Sequence, residues 1–124
     1  MSKYKSQGFR NTFKNARKGM RLAIKSERNI RVHLFSAVCV LLFGVLMDLT
    51  PTELCIVLLT VAMVVSMEMV NSAIEFSLDA VFHNRYSKLV GMAKDISAGA
   101  VMFVTIIAIV IGCIIFIPKF AAIL

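Results

Sequence analysis

Tryptophan is absent from this 124-residue chain, and only two prolines occur, Pro51 and Pro118. Any aromatic belt at a membrane interface must therefore rely on Phe and Tyr, helped by Lys and Arg. Charge is scarce too: Asp, Glu, Lys and Arg make up 17% of residues while apolar types reach 59%, against about 45–50% in a soluble domain. That balance excludes an ordinary soluble fold and points to an integral membrane protein of one domain. Cys39, Cys55 and Cys113 are odd in number, lie inside apolar runs and show no CxxC spacing. Neither a disulfide framework nor a zinc site follows from them, and they read as small apolar fillers. The chain has no G-x-x-x-x-G-K-[ST] loop, no dinucleotide fingerprint, no H-E-x-x-H and no nucleophile elbow, so every standard soluble phosphate cradle or hydrolase centre is missing. The N-terminus does not read as a secretory signal, because thirty-one polar, basic residues precede the first apolar run and no A-x-A-like site follows it.

What is present is segregated. Residues 1–31 hold ten of the fourteen basic residues and one acid, Glu27; the other ninety-three residues hold four basic and six acidic side chains. Phe9, Phe13, Ala16, Met20, Ala23 and Ile24 recur at helical spacing, with Lys14, Arg17, Lys18, Arg21 and Lys25 between them. This predicts a basic amphipathic helix lying on an anionic leaflet. A nucleic-acid-binding arm is the competing reading, and the apolar spacing and adjoining apolar run weigh against it.

Residues 32–49 form a run broken only by His33, Ser36 and Asp48, the first candidate membrane helix. The segment 48–53 is a tight turn, in which Pro51 ends one helix and Thr50 or Thr52 caps the next. A second helix of about residues 52–81 would be about 45 Å long, more than the roughly 30 Å hydrocarbon core, so its Glu75–Asp79 end must reach the far interface. A polar connection with His83, Asn84, Arg85, Tyr86 and Ser87 follows. Residues 96–117 then carry no charge, and Pro118-Lys119 closes that span. The expected spans are about 32–49, 53–75 and 96–117. The basic N-terminal segment and the connection carrying Arg85, Lys88 and Lys94 fall on the cytoplasmic side, and the turn at 48–53, without Lys or Arg, falls outside. Both histidines, His33 and His83, read as structural or interfacial.

The stretch 66–79 is the chemical centre of the chain. Glu68, Asn71, Glu75 and Asp79 fall within roughly an 80° wedge of one helix. A carboxylate near a bilayer centre costs about 2.5–3.5 kcal/mol on insertion scales, so a stripe of three needs something to face it. It could be a solvated face or a seam that glues a bundle; a functional site accounts for it best. The topology brings Glu27, Glu75, Asp79, Lys94 and Asp95 to the cytoplasmic interface, with Glu68 about 10 Å deeper. Such carboxylates suit Mg²⁺ held through one or two of them plus phosphate oxygens, and equally a proton or cation relay in a small transporter. Lys94 could neutralise phosphate or snorkel at a helix end. Residues 97–100, Ser-Ala-Gly-Ala, give the third span a surface for close helix approach. A non-catalytic scaffold is the third option.

Glu68-x-x-Asn71-Ser72-Ala73-Ile74-Glu75, then Asp79, and Ala93-Lys94-Asp95-Ile96 after a polar loop, resemble the signature of the small bacterial diacylglycerol kinase/undecaprenol kinase family. Gly19-x-x-x-Ala23-x-x-x-Glu27-x-x-x-Arg31 is similar to that family's N-terminal pattern. The resemblance covers about residues 9–118. It implies an all-α membrane protein with an N-terminal amphipathic surface helix and three transmembrane helices, assembling as a homotrimer in the bacterial cell membrane. It further implies transfer of the γ-phosphoryl of ATP, with Mg²⁺, to the hydroxyl of a membrane lipid. Glu27 and Glu75 would be metal ligands and Glu68 the base or hydroxyl-positioning group. Asn71, Asp79, Lys94 and Asp95 would serve the nucleotide. Two departures stand out: the family often has a histidine near Ser87, where the nearest here is His83, and an aromatic of some members is replaced by Asn15. The segments 27–33 and 112–118 look like the Gram-positive branch, which favours undecaprenol; diacylglycerol is the alternative substrate.

Overall fold

The computed structural model describes residues 8–83, 85 and 87–124. The first seven residues of the basic segment, and Asn84 and Tyr86 of the polar connection, lie outside the described residues. Four helices follow one another: α1 (Phe9–Ser26), α2 (Arg28–Leu46), α3 (Pro51–Phe82) and α4 (Lys88–Ile123). No strand occurs among the described residues.

The joint between α1 and α2 is one residue wide. Glu27 takes an extended backbone (φ −116°, ψ 113°) and ends α1 while opening α2. Arg31 Nη1 donates to the carbonyl oxygens of Ile24 (2.9 Å) and Lys25 (2.8 Å). It thereby satisfies two carbonyls that a helix end leaves without partners. The break fixes the carboxylate of Glu27 at an elbow rather than on a continuous helix.

The α2–α3 turn is built from both sides. Asp48 takes a left-handed conformation (φ 60°), and the N–H of Leu49 donates to the carbonyl of Gly44 (3.1 Å). Leu49 folds back over Gly44, where a Cβ would come within 2.9 Å of Leu49 Cδ1. Thr50 and Glu53 form a reciprocal cap: Thr50 Oγ1 accepts from the Glu53 N–H (3.2 Å), and the Thr50 N–H donates to Glu53 Oε1 (2.9 Å). Pro51 opens α3 instead of ending α2, because its fixed φ and missing N–H suit the first helical turn.

Pro118 does not end α4, which continues to Ile123. A membrane helix tolerates the one bond that proline removes, and Lys119 Nζ ties the last turns to Glu53 Oε1 at 3.2 Å.

α3 packs against both α2 and α4. Leu49, Val57 and Ile115 form the small core at one end, with Leu41, Leu54, Val61, Ile111 and Phe116 around them. The rings of Phe43 and Phe116 stack beside it at 5.4 Å. Elsewhere the apolar side chains face outward: Phe35, Leu46, Leu89 and Ile96 are all more than two-thirds exposed. Outward apolar surface on helices this long is what hydrocarbon, not water, accommodates. α2, α3 and α4 are each long and apolar enough to cross a membrane, so the chain is a multi-pass membrane protein. At about 1.5 Å per residue, α3 and α4 extend about 48 and 54 Å, well beyond the hydrocarbon thickness.

Candidate active site

The polar end of the bundle is organised by α3. Among the described residues, Glu68, Asn71, Ser72 and Ser97 are the buried polar side chains. Three of them belong to the stripe or adjoin it, and the fourth comes from α4. The α3 periodicity therefore turns its carboxylates and amide inward, towards neighbouring helices.

Each member of the stripe meets a different neighbour. Glu68, only 5% exposed, has Oε2 3.7 Å from Nε2 of His33 on α2. Asn71 Oδ1 accepts from Ser97 Oγ on α4 at 2.5 Å, and Asn71 Nδ2 donates to Glu75 Oε1 at 3.3 Å. One turn further, Asp79 Oδ1 accepts from Lys94 Nζ at 2.6 Å. Both members of that ion pair are more than one-third exposed, so it sits at the rim where water reaches. Depth thus falls along the stripe, from buried Glu68 through half-exposed Glu75 to Asp79.

Glu68, Asn71, Glu75 and Asp79 therefore line one face of α3 in three separate contacts, Glu68 with His33, Asn71 with Glu75 and Ser97, and Asp79 with Lys94. The other two expected residues stand apart from these contacts. Glu27 lies half-exposed at the α1–α2 elbow, and Asp95 is exposed beside Lys94; among the described residues neither carboxylate makes a hydrogen bond or ion pair. No three His, Cys, Asp or Glu side chains among the described residues converge as a metal cage. Mg²⁺ that arrives with nucleotide needs only one or two protein carboxylates, with phosphate and water completing the shell, so the donor set still fits it.

Two members of the site were not read as such from sequence. Ser97 counted only as a small residue for close packing, yet its hydroxyl orients Asn71. His33 read as structural, yet it is the nearest cationisable group to Glu68. His33 also heads an apolar groove of about 320 Å³ between α2, α3 and α4, walled by Ala37, Val61, Val64, Thr105 and Ile109. His83, by contrast, closes α3 in a left-handed conformation (φ 52°).

Residues 14–116, which include every one of these side chains, match the family described as prokaryotic diacylglycerol kinase. The chain belongs to that family. It is 35% identical over 111 residues to the undecaprenol kinase of Bacillus subtilis, covering 90% of this chain and 89% of that protein. It is 32% identical over 107 residues to a diacylglycerol kinase of Synechocystis, covering 86% of this chain but 61% of the longer relative. With the diacylglycerol kinase of Escherichia coli the identity is 29% over 97 residues, covering 78% and 79% of the two chains. Within this family of kinases the arrangement gains a chemical sense. The buried end of the stripe holds a carboxylate close to His33, which lines an apolar groove, and the exposed end holds a lysine–carboxylate pair.

Proposed function

We propose that this chain is an integral-membrane lipid kinase that transfers the γ-phosphoryl of MgATP to the hydroxyl of undecaprenol at the cytoplasmic membrane interface, giving undecaprenyl phosphate and ADP. The observation that carries the reading is Glu68, a buried carboxylate 3.7 Å from His33, which lines an apolar groove, on the helix face that ends in Asp79–Lys94. A lipid alcohol and a nucleotide can approach that stripe from opposite ends.

Phosphoryl transfer asks a protein mainly for positioning and charge neutralisation. Glu68, deepest on the stripe, is the base: it accepts the hydroxyl proton as the lipid oxygen attacks the γ-phosphorus. Lys94, already oriented by Asp79, neutralises phosphate charge. Asn71, held by Ser97, binds the nucleotide together with Asp79 and Asp95. Glu27 and Glu75 would hold Mg²⁺, and the ion would supply positive charge to offset that of the phosphates.

In this reading the chain works as a homotrimer. Support comes from Glu27 standing apart from the stripe, which leaves the site to be completed across a subunit boundary. α1 lies along the cytoplasmic interface, with exposed Phe9, Phe13 and Met20 entering the headgroup boundary between its basic residues. The positive-inside rule puts the N-terminal segment in the cytoplasm.

Phosphorylation of diacylglycerol is the second reading, favoured by the relatives that bear that name. Purified protein in one detergent, with radiolabelled ATP, Mg²⁺ and the two lipids in parallel, separates them. Faster labelling of undecaprenol is the expected result. Faster labelling of diacylglycerol moves the assignment to the second reading, and no lipid phosphate from either ends the kinase reading.

A further inference from the structure

Every carboxylate of the stripe has a partner that the kinase chemistry accounts for, except Glu68. Its neighbour is His33, 3.7 Å away and about one-quarter exposed at the side chain. That distance is too long for a direct hydrogen bond. Two groups that share one hydroxyl, each at about 2.8 Å and at a roughly tetrahedral angle, stand about 4.6 Å apart. The His33–Glu68 gap is therefore within about an ångström of the spacing that would hold an alcohol between them.

Three further facts converge on His33. It lies in the first turns of α2, immediately beyond the elbow that Arg31 clamps to α1, so its backbone is anchored at the polar end. Its side chain also lines the apolar groove that runs from there to Phe116. A neutral imidazole, finally, can donate from Nε2 where a carboxylate can only accept.

We infer that His33 is the second half of the acceptor site: its Nε2–H donates to the oxygen of the lipid hydroxyl while Glu68 Oε2 accepts that hydroxyl's proton. The inference rests on the lipid-kinase reading above and adds a substrate-contacting residue to it. With one hydrogen bond accepted from His33 and one donated to Glu68, the oxygen keeps a lone pair free to face the nucleotide. In the reaction the O–H bond breaks and its proton passes to Glu68. The oxygen bonds to the γ-phosphorus as the bond to the β–γ bridging oxygen breaks, and ADP leaves. His33 neither gains nor loses a proton; it fixes where the oxygen sits. Proximity of the groove means that a hydrocarbon chain leaving the hydroxyl has an apolar path from its first carbons.

The test compares His33→Met with His33→Gln in the full-length protein, assayed with MgATP and undecaprenol. Met and Gln are close in length and volume, but only Gln restores a donor near the place of Nε2. Misplacing a reacting oxygen by about an ångström costs on the order of a hundredfold. His33→Met should therefore lower kcat, or kcat/KM for the lipid, by about ten- to a hundredfold. KM for MgATP should stay at its wild-type value, and His33→Gln should recover most of the loss. Wild-type lipid kinetics in His33→Met overturn the inference. Equal losses in both variants, a rise in KM for MgATP in parallel, or failure of both variants to elute as the wild-type assembly assign His33 to packing and overturn it as well. A wild-type protein that phosphorylates no lipid alcohol overturns the kinase reading itself, a result readily told apart from these.

Discussion

Ser97→Ala removes one hydroxyl and tests whether α4 positions the polar face of α3. Ser97 Oγ donates to Asn71 Oδ1 at 2.5 Å, with both residues buried. The substitution leaves the Asn71 carbonyl with no donor in a site too enclosed for easy rehydration. In soluble proteins such an orphaned group costs about 1–3 kcal/mol. Interhelical hydrogen bonds in membranes average only about 0.6 kcal/mol and reach about 1.7, so about 1 kcal/mol of stability is the expected loss. The functional effect follows from the other end of the amide. Asn71 Nδ2 holds Glu75 Oε1 by a long contact of 3.3 Å, and it does so only while Oδ1 is pinned on the far side. Freed from Ser97, the amide can rotate and present oxygen to oxygen, releasing Glu75. If Glu75 helps to hold MgATP, the apparent KM for MgATP should rise about five- to tenfold, equivalent to about 1–1.4 kcal/mol, with a smaller change in kcat. Steady-state kinetics over MgATP, together with thermal unfolding in detergent, measure both quantities. Ser97→Thr, which keeps the hydroxyl, should stay near wild type. An unchanged KM for MgATP in Ser97→Ala refutes the chain of positioning from α4 through Asn71 to Glu75. Equal damage in Ser97→Thr refutes it too, because steric crowding would then explain the result.

Two further predictions concern the carboxylates. Glu68→Gln should abolish turnover while a fluorescent ATP analogue still binds with near wild-type affinity, whereas Glu75→Gln should lose activity and nucleotide affinity together; equal loss of binding in the two would make Glu68 a metal ligand instead of the base. Co-assembly of inactive Glu27→Gln and Glu75→Gln chains should restore part of the activity, because a site shared between subunits regains one intact copy, and no restoration would confine the site to a single chain.

Periodicity made the centre of this fold legible and its junctions less so. The α3 stripe follows from arithmetic: four polar residues within one narrow wedge must share a face, and burial of Glu68 and Asn71 shows which way that face turns. Junctions obey a different rule. Pro118 read as a stop, because proline removes a donor and crowds the preceding turn, but one lost bond is affordable in a long apolar helix whose end is tied down by Lys119–Glu53. The α1–α2 elbow was equally hidden. Nothing in the composition around Glu27 breaks a helix; the break is stabilised by Arg31 reaching back over six and seven residues, a contact that local propensity does not contain.

On the helices facing α3, Lys94 was legible but Ser97 and His33 were not, for a reason that lies in how polar side chains satisfy themselves. A hydroxyl in an apolar helix carries little information, because it can bond back to its own preceding turn. Thr60 does so to Ile56, Thr105 to Val101 and Ser77 to Ala73. Ser97 instead bonds across to α3, and only the α3–α4 register, which no local pattern encodes, brings Asn71 opposite it. An imidazole has no such outlet. A histidine inside a membrane helix must find a partner beyond its own turn or sit at the interface, so His33, interrupting an otherwise apolar run, was the stronger signal of the two. Its six-residue distance from Glu27 places it just below the elbow, at the level where a stripe descending from the same end would offer a carboxylate. That carboxylate is Glu68.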